Sequence, residues 1–238
     1  MRDYKILIFV YFFVTAAHCA ALEPRLLHAR ARSKTKLGIV GGQEGASNPF
    51  VCDAKKAAAI HNAIKWMHYY AGSASSFLGQ RNAGQTAAFI AWFGYRNRAL
   101  ASDMKLNIID PIYALGSTAP SYVFSVTERG DNIISIGCGT PGNSYVCKAD
   151  PDTVAYAEEK DNSIILCPSA FTRSGFYGQD STEQYAQSQW GSHRLMRPSG
   201  GFYLLHEMTH LPSLVGGFKH WSAAPVDASH DFSYYPKQ

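Results

Sequence analysis

Gly200-Gly201-Phe202-Tyr203-Leu204-Leu205-His206-Glu207-Met208-Thr209-His210 is the stretch on which the reading of this chain turns. Its core has the pattern HExxH. Residues four apart lie on one face of an α-helix, so His206 and His210 can aim both imidazoles at one point. That suits two ligands of a tetrahedral zinc ion, and Glu207 is placed to act as general base toward water beside them. The flanks read as helix. Two glycines precede the run, Phe202, Leu205 and Met208 can pack beneath it, and Pro212 with Gly216-Gly217 stops it near residue 212. With nine histidines in 238 residues, a chance HExxH turns up in roughly one such chain in a hundred. An ordinary pair of core or surface histidines is therefore the reading to beat.

The chain around the motif narrows the setting. Residues 1–20 read as a signal peptide: Arg2 and Lys5, then an apolar run Ile6–Ala17, then small residues at Ala20-Ala21. The run is too short to span a bilayer, and no later stretch is apolar enough, so a secreted protein with no membrane contact after cleavage is expected. Residues 21–48 read as a leader or propeptide, with basic sites at Arg30-Ala31-Arg32 and Lys34-Thr35-Lys36 that a processing protease can cut. The formal charge of +4 is concentrated here, and the remainder is near neutral, which argues against nucleic acid as a partner. Thr15-Ala16-Ala17-His18-Cys19 and Ile39-Val40-Gly41-Gly42 resemble pieces of trypsin-like proteases, but they stand in the wrong order and no G-x-S-x-G elbow follows.

Residues 49–238 read as one α+β domain: N-terminal helices, a small β-sheet and the HExxH helix. Hydrophobic content of 46% supports a packed core. Asp53 caps a helix running to Ala71, and a second helix is expected over Gln85–Ala101. A helical piece from Asp103 to Leu115 is broken at Pro111. Short β-branched runs at Tyr122–Thr127, Ile133–Cys138, Val154–Tyr156 and Ile164–Cys167 read as strands. With Cys19 removed alongside the signal peptide, Cys52, Cys138, Cys147 and Cys167 remain, enough for two disulfides in three possible connectivities. No N-x-S/T sequon is present.

A hydrolytic zinc site needs a third protein ligand. One zincin class places a further His ten residues after the first, where this chain has Gly216; another uses a downstream Glu, and no Glu follows Glu207. His220, Asp227, His230 and Asp231 remain as candidates. Here a resemblance enters. His206-Glu207-Met208-Thr209-His210 followed by Asp231-Phe232-Ser233-Tyr234 resembles the deuterolysin-like aspzincins, secreted fungal zinc metalloendopeptidases that include lysine-specific relatives. Ile165-Leu166-Cys167-Pro168 closes a segment similar to that family's hairpin between cysteines. The resemblance spans residues 50–238 and is strongest at these motifs.

The resemblance implies a zincin-like metallopeptidase domain with one Zn2+ held by His206, His210 and Asp231, Glu207 as general base and Tyr234 as hydrogen-bond donor to the oxyanion. It favours the sequential pairing Cys52–Cys138 and Cys147–Cys167. It implies protein or peptide substrates and a monomer, and the family's last helix is expected to be missing from a chain that ends at Gln238. Some secreted zinc-capturing antigens and inactive relatives resemble the same scaffold, so zinc capture without turnover is the alternative expectation.

Overall fold

The computed structural model describes residues 35–41, 49–87, 89–90, 95–117, 119–123, 133–172, 176–177, 184 and 199–215. Asp227, His220, His230, Asp231 and Tyr234 lie outside the described residues, as do the signal segment and the basic sites at 30–34. The architecture is α+β, built on a five-stranded sheet with the order β2-β1-β3-β5-β4.

Strand β1, Lys36–Val40, pairs in parallel with β2, Ser121–Val123, on one side and with β3, Ile133–Cys138, on the other. It falls inside the segment expected to be a leader. The folded unit therefore begins by residue 36, ahead of the boundary at 49 that the basic sites suggested. The physical reason is plain in hindsight: Leu37, Ile39 and Val40 are buried at 0–1% exposure, because a strand between two parallel neighbours is covered on both faces. Its alternation was hidden by its shortness and by the basic residues before it.

Beyond β1 the chain enters α1, Ala54–Leu78. Asp53 caps it by accepting from the Lys56 backbone N–H at 2.8 Å. Ala57, Ile60, Ile64, Met67, Ala71, Ala74 and Leu78 fall at helical spacing and are all buried. The helix runs seven residues past Ala71, because Gly72 is not a break. A Cβ at Gly72 would lie 2.8 Å from the Tyr113 ring, so its small size serves a close approach of another helix. Of the expected helix over 85–101, residues 87 and 89–90 are α-helical, with Thr86 as cap accepting from the Phe89 N–H at 3.2 Å; a 3-10 turn, Ala83–Gln85, precedes them and a second one, Tyr95–Leu100, stands at the far end. Then α2, Ala101–Met104, a π-helical turn, Lys105–Ile109, and α3, Asp110–Gly116, follow without interruption. Pro111 does not break this run: the helix continues through it, with the π-helical turn directly before it.

After β3 come α4, Tyr145–Ala149, then β4, Ala155–Glu158, and β5, Ser163–Leu166. β5 is parallel to β3, whereas β4 is antiparallel to β5 and forms one of the sheet's two edges. Two-residue alternation splits the side chains between the faces. Leu37, Ile39, Ile134, Ile136, Ile164 and Leu166 face α1 and the helices beside it; Val40, Val123 and Ile165 face the other way with Cys147 and Cys167. Cys52 is bonded to Cys138 and Cys147 to Cys167, the sequential pairing. Gly41 makes the first possible. Its φ is +117°, and a Cβ there would lie 2.3 Å from the Cys52 carbonyl oxygen, so only glycine lets the two backbones meet. Helix α5, Pro168–Thr172, leaves the sheet; α6, Gly200–Met208, and α7, Pro212–Val215, close the described structure.

Candidate metal centre

Helix α6 carries the HExxH motif, and its own sequence would not keep it folded. It has nine residues, two of them glycine. Isolated helices below about 12–15 residues are marginal in water, and each interior Gly costs about 1 kcal/mol relative to Ala. Three features compensate. Ser199 is the N-cap, accepting from the Phe202 backbone N–H at 3.4 Å. Phe202, Leu204, Leu205 and Met208 are buried in the main core. Gly201 lets the helix lie directly on α1: a Cβ there would stand 2.5 Å from Trp66 Cβ, 2.9 Å from the Met67 backbone nitrogen and 3.0 Å from the Ala63 carbonyl. Gly201 at the helix start thus serves a close helix–helix contact.

The helix also ends earlier than its sequence suggests. It stops at Met208 rather than near 212. The Thr209 N–H and hydroxyl both donate to the His206 carbonyl, at 2.9 and 2.7 Å, and the His210 N–H donates to Glu207 O at 3.1 Å. These are i to i+3 bonds, which tighten the last turn into 3-10 geometry. Pro212 then opens α7, and a residue before proline disfavours helical backbone, which fits the break at Leu211.

The tightened turn still brings the two imidazoles together. His206 Nε2 and His210 Nε2 are 3.2 Å apart, with the ring planes at 80°. Two imidazole nitrogens at zinc–nitrogen distances of 2.0–2.1 Å on a tetrahedral ion are separated by about 3.3–3.4 Å. The pair is therefore set at nearly the edge length of a tetrahedral zinc site. The same separation accommodates one shared proton between neutral rings, so a cation and that proton compete for one position.

Electrostatics favour the cation. His206 lies in the last turn of α6, where the helix dipole presents its negative end. Glu207 is buried at 7% exposure in that same turn, the wrong end of a helix for a carboxylate. A positive ion on the His206 imidazole would lie at that negative end. Tyr203, one turn earlier, lies on the helix face shared by His206, Glu207 and His210 and is half-buried.

The structure thus brings together two of the expected site residues, His206 and His210, with Glu207 buried in the same turn. Among the described residues no group of three His, Cys, Asp or Glu side chains gathers to hold a metal. The pair fits two positions of a tetrahedral ion; the remaining expected ligand, Asp231, and the expected oxyanion donor, Tyr234, fall outside the described residues. Two supporting residues were not anticipated. Ser199 was legible as a Ser immediately before the helix. Ser213, which donates to the Asn162 side-chain oxygen across 51 residues, had no local signal. Comparison with family models, with curated proteins and with solved structures finds no match to this chain.

Proposed function

We propose that this chain is a secreted zinc-dependent endopeptidase that hydrolyses peptide bonds of proteins. The observation that carries the reading is the His206–His210 pair at 3.2 Å with a buried Glu207 between them in sequence. The pair supplies two of three protein ligands, and the family resemblance assigns the third to Asp231. Zinc bound there acts as a Lewis acid on the scissile carbonyl and brings water into reactive range near neutral pH.

The protein groups do the rest. Glu207 takes the proton of the attacking water and later passes it to the leaving amine. Burial suits that role, since a carboxylate away from bulk water has its basicity set by its immediate neighbours. Tyr234 takes the part of hydrogen-bond donor to the tetrahedral oxyanion. The substrate chain has a natural seat on β4. This strand is one of the sheet's two edges, the one that α6 packs against, and the residues it turns toward the main core, Ala155 and Ala157, are small. An extended peptide can add to such an edge by main-chain hydrogen bonds.

Two disulfides and the absence of any described helix long and apolar enough to cross a membrane accord with export to an oxidising compartment. The test is Glu207→Gln. That variant is expected to keep zinc while its hydrolysis of casein falls by at least about a thousandfold, a loss in line with removing a general base and its electrostatic role together. Cleavage at the wild-type rate would refute the mechanism. Tight zinc binding by the wild type with no turnover of any protein substrate would favour zinc capture instead.

A further inference from the structure

The turn between β4 and β5 holds an unusual residue. Asn162 has φ 51° and ψ 47°, the one non-glycine with positive φ among the described residues. Asparagine tolerates this left-handed backbone better than other side chains do. All four of its polar groups are engaged. Its N–H donates to Glu159 O at 3.2 Å, closing the turn, and its carbonyl accepts from the Ser135 N–H at 3.3 Å. Its side-chain NH2 donates to Ile133 O at 2.8 Å, and its side-chain oxygen accepts from the Ser213 hydroxyl. The second and third bonds knit the hairpin to β3. The fourth leaves the sheet and reaches α7, three residues after His210.

That fourth bond acts on a hinge. The His210 and Leu211 N–H groups donate back into α6, to Glu207 O at 3.1 Å and Met208 O at 3.3 Å, while Leu211 O accepts from the Leu214 and Val215 N–H groups of α7 at 3.0 Å, so Leu211 links the turn that carries His210 to α7. Helix α6 fixes His206 on one side. On the other, Leu211, Leu214 and Val215 are buried in the core, but apolar contacts are non-directional and set depth better than rotation. The Ser213–Asn162 bond is directional and ties α7 to a rigid sheet junction. Rotation of α7 would pull on Leu211 and, through its N–H bond to Met208 O, on the closing turn that holds His210 beside His206.

We infer that Asn162, acting through Ser213, is a positioning residue that sets the His206–His210 separation at the candidate metal centre. The inference rests on the proposed zinc reading. It needs no contact between Asn162 and the metal; the path runs from the hairpin turn through Ser213 and one turn of chain to His210. Ser213 is exposed, so replacing it opens no core cavity.

The test uses the full chain, with Co2+ alone as probe, read by its d–d absorption during titration, and with the thermal midpoint of the metal-free protein read in parallel. Ser213→Ala is expected to bind Co2+ about tenfold more weakly, the low end for residues that orient ligands without touching the metal. Its metal-free midpoint should stay within about 2 °C of wild type. Ser213→Thr keeps the hydroxyl and should restore the affinity. Asn162→Asp keeps the acceptor for Ser213 but loses the donor to Ile133 O, so it should lower the midpoint more than Ser213→Ala while weakening Co2+ less. Co2+ affinity unchanged in Ser213→Ala, or a Ser213→Ala protein that unfolds, would make the bond merely structural and overturn the inference. So would the reverse ordering of the two variants. A wild type that binds no Co2+ removes the zinc reading and this inference with it, whereas a binding wild type matched by Ser213→Ala removes the inference alone.

Discussion

Helices α1 and α6 cross at Gly201, and they are built on opposite terms. α1 has 25 residues, a carboxylate cap and a buried stripe at regular helical spacing. α6 has nine residues, begins with two glycines and ends in a 3-10 turn. The first supplies a long surface that orders its neighbours; the second exists because that surface and the sheet hold it. The candidate site sits on the helix that is least able to stand alone and on its closing turn. Its geometry is therefore a tertiary property, and changes in the scaffold should reach the histidines without touching them.

The largest expected effect comes from the scaffold's covalent tie. Cys52–Cys138 joins residues 86 apart and fixes the chain just before α1 to the end of β3. In the chain-entropy account a loop of that length is worth about 4–5 kcal/mol, against about 3 for the 20-residue separation of Cys147–Cys167. Replacing Cys52 and Cys138 by Ala should therefore lower the denaturant midpoint more than replacing Cys147 and Cys167. The opposite order would mean that the hairpin pair, not the α1 anchor, is what orders the domain.

Next is the crossing itself. Gly201→Val places a branched side chain against the α1 backbone, where even a Cβ is too close. Overpacking of this kind costs about 1–3 kcal/mol. If α1 positions α6, this variant should also weaken metal binding per folded molecule, as measured by titration well below its unfolding temperature. Lost stability with intact affinity would show that α6 holds its own geometry.

The smallest effect belongs to the start of α1. The Asp53 carboxyl is held below its usual 3.8, chiefly by the Lys56 backbone N–H and also by burial-opposed contacts with the Lys56 side chain. A carboxylate with a depressed folded value contributes stability that is present above about pH 4 and lost as pH falls through that lower value. Asp53→Ala should cost about 1 kcal/mol at neutral pH by urea unfolding. Asp53→Asn keeps the cap acceptor and should remove this part of the acid sensitivity. Neither change should alter metal affinity, since α1 is long enough to fray at its first turn without disturbing the crossing some ten residues on.

These contrasts also explain what could be read from the residues alone. α1 and β3 were legible because Asp53 caps one and the β-branched run Ile133–Cys138 writes the other. The α+β class follows from them. β1 was not legible: five residues behind a basic segment carry too little pattern, and their burial comes from two partners far away in sequence. Pro111 and Pro212 read as breaks, but the helical run continues through Pro111, directly after a π-helical turn, and Pro212 starts a helix, where proline loses no bond. At the site, His206, Glu207 and His210 were legible because the i, i+4 rule is local. The roles of Gly201, Asn162 and Ser213 were not, since each depends on a neighbour 51 or more residues away, as with Met67 at 2.9 Å from a Gly201 Cβ or Ser213 against Asn162.

The central claim is that the two imidazoles of α6 and its closing turn are set for a metal ion. Elemental analysis of the dialysed full chain tests it most directly, alongside His206→Ala, His210→Ala and Glu207→Gln. The account predicts about one zinc per chain in the wild type and in Glu207→Gln, and loss of it in both histidine variants. A wild type without stoichiometric zinc, or full retention of zinc by His210→Ala, would contradict it.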